Sequence, residues 1–136
     1  MNPYCAKSGV ALTPWSPLAR GILTGAYRGG FGAGSTARSK GMDRNRTESL
    51  YRGEHVFDVA ERVVEVANKY GKAPAQIALA WLLNKPEITA PVVGVSRLEQ
   101  LDQLVEATQI RLDADDAAYL EAPYRPVENL LSLGAS

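Results

Sequence analysis

Two short apolar segments in the chain each run directly into a polar segment that contains glycine. Residues 10–13 (VALT) are followed by PWSPLARG at 14–21, and residues 89–95 (TAPVVGV) lead into GVSRLEQL at 94–101. Short apolar runs bounded by turn residues are typical of buried strands. The carboxyl ends of parallel strands face the ligand crevice of an α/β protein. The pair therefore predicts an α/β fold in which two parallel strands end at two walls of one site.

The hydrophobic pattern predicts about four helices, and the first two follow one another. Residues 54–70 carry apolar residues at helical spacing and end before Gly71, a residue type that favours helix termination. Pro74 is placed for the first turn of a second helix over 75–83, which is apolar on nearly every side and is expected to be buried. An earlier stretch, residues 3–8, is interpreted as the end of a further helix that stops at the next glycine.

Two more helices are predicted from their capping residues. Ser96 and Glu99 have the spacing of a capping box, so a third helix is expected to open at this point. Asp113 and Asp116 have the same relation at the start of a fourth, shorter helix. All of these elements form one continuous pattern without repeats, which predicts a single domain over residues 1–136.

Two stretches lack a regular pattern. Residues 19–53 are rich in glycine, serine and arginine, and from Gly21 onward no period of apolar residues is visible, so a long irregular loop is expected. Loops of this length in compact domains are usually functional or disordered. Residues 123–136 are expected to form a variable tail.

The charge balance and the residue types exclude several classes of partner. Fifteen basic residues balance fifteen acidic ones, so no net field favours nucleic acid or a membrane surface. The longest apolar run, residues 77–83, is shorter than the roughly eighteen residues that mark a membrane span. The single cysteine, Cys5, cannot form an internal disulfide, and no secretory signal is visible, which predicts a cytoplasmic location. No spacing of Cys, His or carboxylates predicts a metal site.

Trp15 is the most distinctive residue of the first polar segment. An indole at a strand end can hold a flat ring such as nicotinamide, or it can simply fill the core, since Trp is heavily buried on average. Residues 15–25 (WSPLARGILTG) resemble the segment after the seventh strand of the aldo-keto reductases, in particular bacterial members that act on carbonyls. In that family an aromatic residue stacks on the nicotinamide, and the following residues embrace the pyrophosphate.

The second polar segment has the chemistry of a phosphate site. Gly94, Ser96 and Arg97 lie at the expected amino-terminal end of a helix, where backbone N–H groups and the helix dipole favour a phosphate. The same residues can instead be a helix cap followed by a solvated arginine. In the aldo-keto reductases the matching stretch after the eighth strand binds the 2′-phosphate and adenine of NADP. Gln100 and Gln103 match that pattern, but Leu104 stands where the family usually has Asn.

The loop over 19–53 carries basic side chains that could fold over a dinucleotide as a belt or could simply be solvated. Arg38 is the best candidate, because many aldo-keto reductases carry an arginine near this point, whereas Ala26 replaces a basic residue found in some of them. The resemblance thus implies a set of residues that bind NADP (NADPH). They are Trp15, Ser16, Pro17, Leu18, Ala19, Arg20, Gly21, Arg38, Gly94, Ser96, Arg97, Gln100 and Gln103.

The resemblance extends from about residue 3 to residue 124 and implies the carboxyl-terminal portion of a (β/α)₈ TIM barrel. A complete barrel needs roughly 200 residues or more, so the 136-residue chain is expected to form an incomplete barrel. Family chemistry is hydride transfer from NADPH to an aldehyde or ketone, with a Tyr as proton donor assisted by Lys, Asp and His on earlier strands. No catalytic residue is assigned in this chain.

Three functions follow as expectations. The first is a truncated part of an NADP-dependent oxidoreductase that binds the nicotinamide dinucleotide but lacks the catalytic residues. The second is a non-catalytic module that binds NADP. That module could act as a sensor or supply the missing half of the barrel to another chain. The third is a structural protein whose open strand edges and apolar helix bury themselves against a second copy.

Overall fold

The computed structural model describes residues 2–33, 43–51 and 53–126. Helices account for most of the regular structure. They are α1 (Asn2–Ser8), α2 (Asp43–Leu50), α3 (Glu54–Tyr70), α4 (Pro74–Leu83), α5 (Leu98–Glu106) and α6 (Ala114–Glu121), with 3₁₀ turns at Ala19–Thr24, Phe31–Ala33 and Ala107–Gln109. The helices predicted over 54–70 and 75–83 are confirmed as α3 and α4. Within the described ranges no helix is both long and apolar enough to cross a membrane.

Several helix ends follow from local chemistry. Gly71 ends α3 with a φ of 62°, a left-handed conformation that glycine adopts without a steric penalty. Gly9 ends α1 in the same way, with a φ of 66°. Pro74 is the first residue of α4, where its missing N–H leaves no bond unmade. The side chain of Asp113 caps α6 by accepting a 2.8 Å hydrogen bond from the backbone N–H of Asp116.

The capping box predicted for Ser96 and Glu99 is wrong. The N-cap of α5 is Arg97, and the side-chain Oε1 of Gln100 accepts hydrogen bonds from the backbone N–H groups of Ser96 (2.9 Å) and Arg97 (3.3 Å). Glutamine serves at the third helical position as well as glutamate does. The helix therefore begins one residue later than predicted.

Part of the interval predicted as an irregular loop is helical. Helix α2 is polar and has no apolar stripe, so no period in the sequence marks it. Thr47 is nevertheless fully buried, and short helices are held mainly by tertiary packing rather than by propensity. The assignment of residues 19–53 to a cofactor belt stays a prediction.

The two predicted strand segments lie side by side in parallel, but their pairing is confined to two isolated bridges. Leu12 pairs with Ile88, and Trp15 pairs with Val92. The backbone N–H of Val92 donates to the carbonyl of Pro14 at 2.8 Å. Within the described residues no longer strand forms, so the two strands and the barrel stay predictions.

The hydrophobic core is built from the helices and not from the paired segments. One buried cluster joins α3, α4 and α6, and a smaller one lies beneath the Ala19–Thr24 turn. The main cluster comprises Val63, Val66, Ala67, Ile77, Ala78, Ala80, Ile110 and Leu120. By contrast, Val10, Trp15 and Val92 are exposed. The helices therefore pack against one another, whereas these three side chains of the paired segments are exposed to solvent.

Candidate functional site

The two polar segments leave the parallel pairing at the same end. The bridge between Trp15 and Val92 is the last one along the chain direction, so residues 16–21 and 94–97 both continue from that edge. These are the two stretches that the sequence predicted as walls of one site. We call residues 15–21 the turn segment and residues 94–103 the helix-entry segment.

Trp15 is 72% exposed and lies outside the buried clusters. The interpretation of Trp15 as a core residue therefore does not describe this structure. Large aromatic side chains bury extensive apolar area when they can, so an indole left open at a strand end has a face available for a planar ligand. Its role in stacking on nicotinamide stays a prediction.

The backbone of the turn segment is strained. Ser16, Ala19 and Arg20 have φ values of 55°, 48° and 57°, and Gly21 has a φ of 102°. For residues other than glycine this left-handed region costs roughly 1–2 kcal/mol each. Such conformations persist only where the surroundings enforce them, and they cluster at ligand clamps and active sites. Hydrogen bonds within the segment, such as Gly21 N–H to the Leu18 carbonyl at 2.9 Å, close the turn.

Two contacts anchor this strained turn to the helical layer. The side chain of Leu18 is half-buried. It packs against the main cluster and against a further buried cluster that also includes a residue of α4. The guanidinium Nε of Arg20 donates to the hydroxyl of Thr47 in α2 at 3.2 Å. Leu18 and Arg20 therefore act first as anchors of the turn. Thr47 was missed by sequence reasoning, because a threonine in a polar stretch carries no signal of burial.

The helix-entry segment presents backbone donors that converge on one oxygen. The N–H groups of Ser96 and Arg97 and the Ser96 hydroxyl all donate to Oε1 of Gln100. Gly94 is exposed, and a Cβ placed on it would meet no heavy atom within 4 Å. Arg97 is exposed as well. These residues form an exposed surface, and Oε1 of Gln100 occupies the point on which their donors converge.

A buried glutamine fixes the position of the helix-entry segment. Nε2 of Gln76, in α4, donates to the backbone carbonyl of Gln103 at 2.9 Å and to the carboxylate of Glu106 at 3.1 Å. Its Oε1 accepts from the backbone N–H of Ala73 at 2.9 Å. Gln76 therefore ties α5 to α4, and Gln103 takes part through its backbone. Sequence reasoning missed Gln76, because the two partners of its Nε2 lie 27 and 30 residues away along the chain. Arg38, the predicted belt residue, lies outside the described residues.

The groups with shifted pKa values lie on the helical layer away from this site. The ammonium of Lys69 donates to both carboxylate oxygens of Asp116 at 2.8 Å, and this hydrogen bond lowers the pKa of Asp116. The pKa of Glu121 is also lowered, first by its hydrogen bond to Lys85 and then by that to Trp81. In the part of the chain that the structure describes, no group of three metal-ligating side chains is arranged to hold an ion. The shifted groups hold helices together.

Comparison with known proteins gives a consistent result over most of the chain. The model of the aldo/keto reductase family matches residues 1–125. The chain is 42% identical over 127 residues to a putative aryl-alcohol dehydrogenase of Schizosaccharomyces pombe, covering 93% of this chain and 34% of that protein. It is 38% identical over 128 residues to versiconal hemiacetal acetate reductase of Aspergillus parasiticus, covering 93% and 36%. A probable aldo-keto reductase of Glycine max is 33% identical over 118 residues, covering 84% and 32%. The chain spans about a third of the length of these curated relatives.

Proposed function

Because the chain belongs to the aldo/keto reductase family, we propose that it is the part of an NADP-dependent oxidoreductase that binds the dinucleotide. The family uses a nicotinamide cofactor and has the TIM-barrel fold. The observation that carries the proposal is the parallel bridge between Trp15 and Val92, which directs the turn segment and the helix-entry segment to one edge. The chain supplies the carboxyl-terminal strands of the barrel with their cofactor-binding ends.

The residues of this edge suit NADP in their chemistry. The exposed indole of Trp15 offers a π-face for the nicotinamide ring. The N–H groups of Ser96 and Arg97 converge on one point, where they donate to Oε1 of Gln100, and a bound phosphate oxygen would take the place of that oxygen. Gly94 leaves open space for a ligand to approach the backbone. The side chain of Arg97 is exposed, and its guanidinium can add charge-assisted bonds to a phosphate.

When bound, NADPH supplies a hydride for the carbonyl carbon of an aldehyde or ketone. The residues of this chain hold and orient the dinucleotide. In the aldo-keto reductases the proton donor Tyr and its Lys, Asp and His partners lie on earlier strands, and no residue of this chain matches them. We therefore expect the isolated chain to bind NADPH and to reduce no carbonyl.

Titration of the purified chain with NADPH tests this proposal, with tryptophan fluorescence as the readout. Saturable quenching is expected in the wild-type chain and in Trp81→Phe, and its loss is expected in Trp15→Phe. Trp81 is the matched control, because its Nε1 is bonded to Glu121 at 2.9 Å on the helical layer. The absence of saturable binding at millimolar NADPH would overturn the proposal.

A second experiment separates an enzyme fragment from a free-standing NADP-binding module. The chain is mixed with a polypeptide that comprises the part of the Aspergillus parasiticus reductase outside the matched region. A fragment is expected to regain oxidation of NADPH that depends on an added aldehyde. Binding of NADPH without any regained turnover would favour the module.

The exposed apolar side chains favour an association role as a second candidate. Residues of the second strand segment and of α5 stay open to solvent. They are Val92, Val93, Val95, Leu98, Leu101 and Val105. Exposed patches of this kind mark interaction sites, so this face is where a second copy or another chain that completes the barrel would bind.

A further inference from the structure

Tyr27 holds a buried polar atom that has no partner. The residue is 1% exposed, and its hydroxyl makes no hydrogen bond with any residue that the structure describes. Buried polar groups in folded proteins are almost always hydrogen-bonded, and each exception calls for an explanation. Removing a hydroxyl from water without a new partner costs free energy. A phenylalanine would fill the same space without this cost.

The ring of Tyr27 lies directly beneath the turn segment. Its Cε2 atom is 3.6 Å from the point where a Cβ on Gly21 would lie, and the hydroxyl is attached to the neighbouring ring carbon. Ile22 and Ala60 are buried in the same cluster. The Tyr27 ring therefore packs against the same turn that the proposed function assigns to the pyrophosphate.

Aromatic side chains pack against the ring of Tyr27. Phe31 contacts it edge to face with ring centroids 5.7 Å apart, and Phe31 in turn contacts Phe57 of α3 at 5.1 Å. The loop that follows is tightly packed as well, because a Cβ placed on Gly25 would lie 3.3 Å from the side chain of Val64. A new partner for the hydroxyl must therefore come to it.

The turn segment is the element that can supply this partner. Ala19 and Arg20 hold left-handed backbone conformations immediately before Gly21, so the backbone next to the Tyr27 ring is strained. Strain of this kind is stored where a segment has two alternative arrangements.

We propose that Tyr27 is a positioning residue for the dinucleotide pyrophosphate, and that its hydroxyl donates to the backbone of residues 19–21 when that backbone closes around the ligand. The inference rests on the proposed function, since it requires that the turn segment binds the pyrophosphate. It adds a residue that does not touch the ligand and acts through the backbone of the turn.

The test is Tyr27→Phe, with the dissociation constant for NADPH measured by calorimetry and the free energy of unfolding measured in urea. We expect NADPH to bind about tenfold more weakly, which corresponds to about 1.4 kcal/mol, while the unfolding free energy of the ligand-free chain is unchanged or higher. Adenosine 2′,5′-bisphosphate, which has no pyrophosphate bridge, is expected to bind equally to both proteins. Tyr51→Phe is the control, because Tyr51 packs against the same cluster, and it is expected to leave NADPH affinity unchanged.

The outcomes separate the two proposals. Equal NADPH affinity of wild type and Tyr27→Phe overturns the role of Tyr27 and leaves the proposed function intact. Equal weakening of NADPH and adenosine 2′,5′-bisphosphate also overturns it, since the hydroxyl would then be a general structural element. Failure of the wild-type chain to bind NADPH overturns both.

Discussion

At the scale of single residues, the candidate site combines exposed recognition groups with strained or unsatisfied ones. Trp15 and Arg97 are open to solvent, whereas the left-handed backbone of Ala19 and Arg20 and the buried hydroxyl of Tyr27 are held in unfavourable states. A folded chain retains such states only where packing enforces them. The packing beneath the turn segment therefore holds these residues in their strained or unsatisfied states.

Substitution of Arg97 tests whether this residue binds the 2′-phosphate of NADPH. Arg97→Ala is expected to weaken NADPH about tenfold and NADH little, because a charge-assisted bond to a phosphate contributes roughly 1.5–3 kcal/mol and only NADPH carries that phosphate. Titration of the variant with both cofactors measures the difference. Arg111→Ala is the control, since Arg111 is exposed and its guanidinium donates to the Thr108 carbonyl. An equal loss of affinity for both cofactors would contradict the assignment of the 2′-phosphate to Arg97.

At the scale of secondary-structure elements, buried polar side chains determine how the helices are joined. Gln76 ties α4 to α5, and Lys69 ties the end of α3 to the first turn of α6 through Asp116. Asp116 is buried, so its carboxylate depends on Lys69 for compensation. Together with the hydrophobic core, these contacts fix the orientation of the helices and the position of the helix-entry segment.

The pH dependence of unfolding tests the contact between α3 and α6. The hydrogen bond from Lys69 lowers the pKa of Asp116 below its ordinary value of 3.8, so the ionised form is stabilised in the folded chain. This contribution is present above pH 3.8 and is lost as the pH falls through the lower pKa of the folded state. Asp116→Asn is expected to unfold at lower urea concentration than wild type at pH 7, with the difference shrinking below about pH 4.

Asp115→Asn provides the control for this measurement. Asp115 is an exposed carboxylate in the same first turn of α6, so the variant removes the same charge without breaking the contact to α3. Its unfolding midpoint is expected to stay close to that of wild type at pH 7. A difference between Asp116→Asn and wild type that persists unchanged at pH 2 would contradict the role of the ion pair.

At the scale of the whole molecule, apolar side chains are distributed unevenly between the core and the surface. In α5 only Leu104 is buried, while Leu98 is 76% exposed and Val105 is 59% exposed. This helix is amphipathic, but part of its apolar stripe meets no partner within the described chain. The relatives are about three times as long, which supports the view that further polypeptide covers this face in a complete barrel.

A measurement of self-association tests whether the exposed apolar side chains of α5 form an interaction surface. The isolated chain is expected to show a weight-average mass that rises with concentration in sedimentation equilibrium, because exposed apolar area favours association. The double variant Leu98→Gln and Leu101→Gln is expected to stay monomeric. Glu99→Gln with Asp102→Asn, on the same helix, is the control and is expected to associate like wild type. A wild-type chain that stays monomeric and unfolds in one sharp transition would contradict the expectation.

The boundaries of most helices were predictable because their causes are local. Gly71, Pro74 and Asp113 act on backbone groups within four residues, and all three lie where the pattern indicated. The start of α5 was misplaced because Glu99 and Gln100 are adjacent and either can cap a helix. Helix α2 was missed because tertiary packing, and not an apolar period, stabilises it.

The sequence by itself determined the family, helices α3, α4 and α6, and the two polar stretches that the structure brings to one edge. Periodicity, capping and turn chemistry act over a few residues, so they can be read along the chain. Only the tertiary structure decided that Thr47 and Gln76 are buried, that Trp15 is exposed, and that the Tyr27 hydroxyl lies without a partner beneath Gly21. Burial and hydrogen-bond satisfaction depend on residues distant in sequence, and that is the physical reason why no local pattern reveals them.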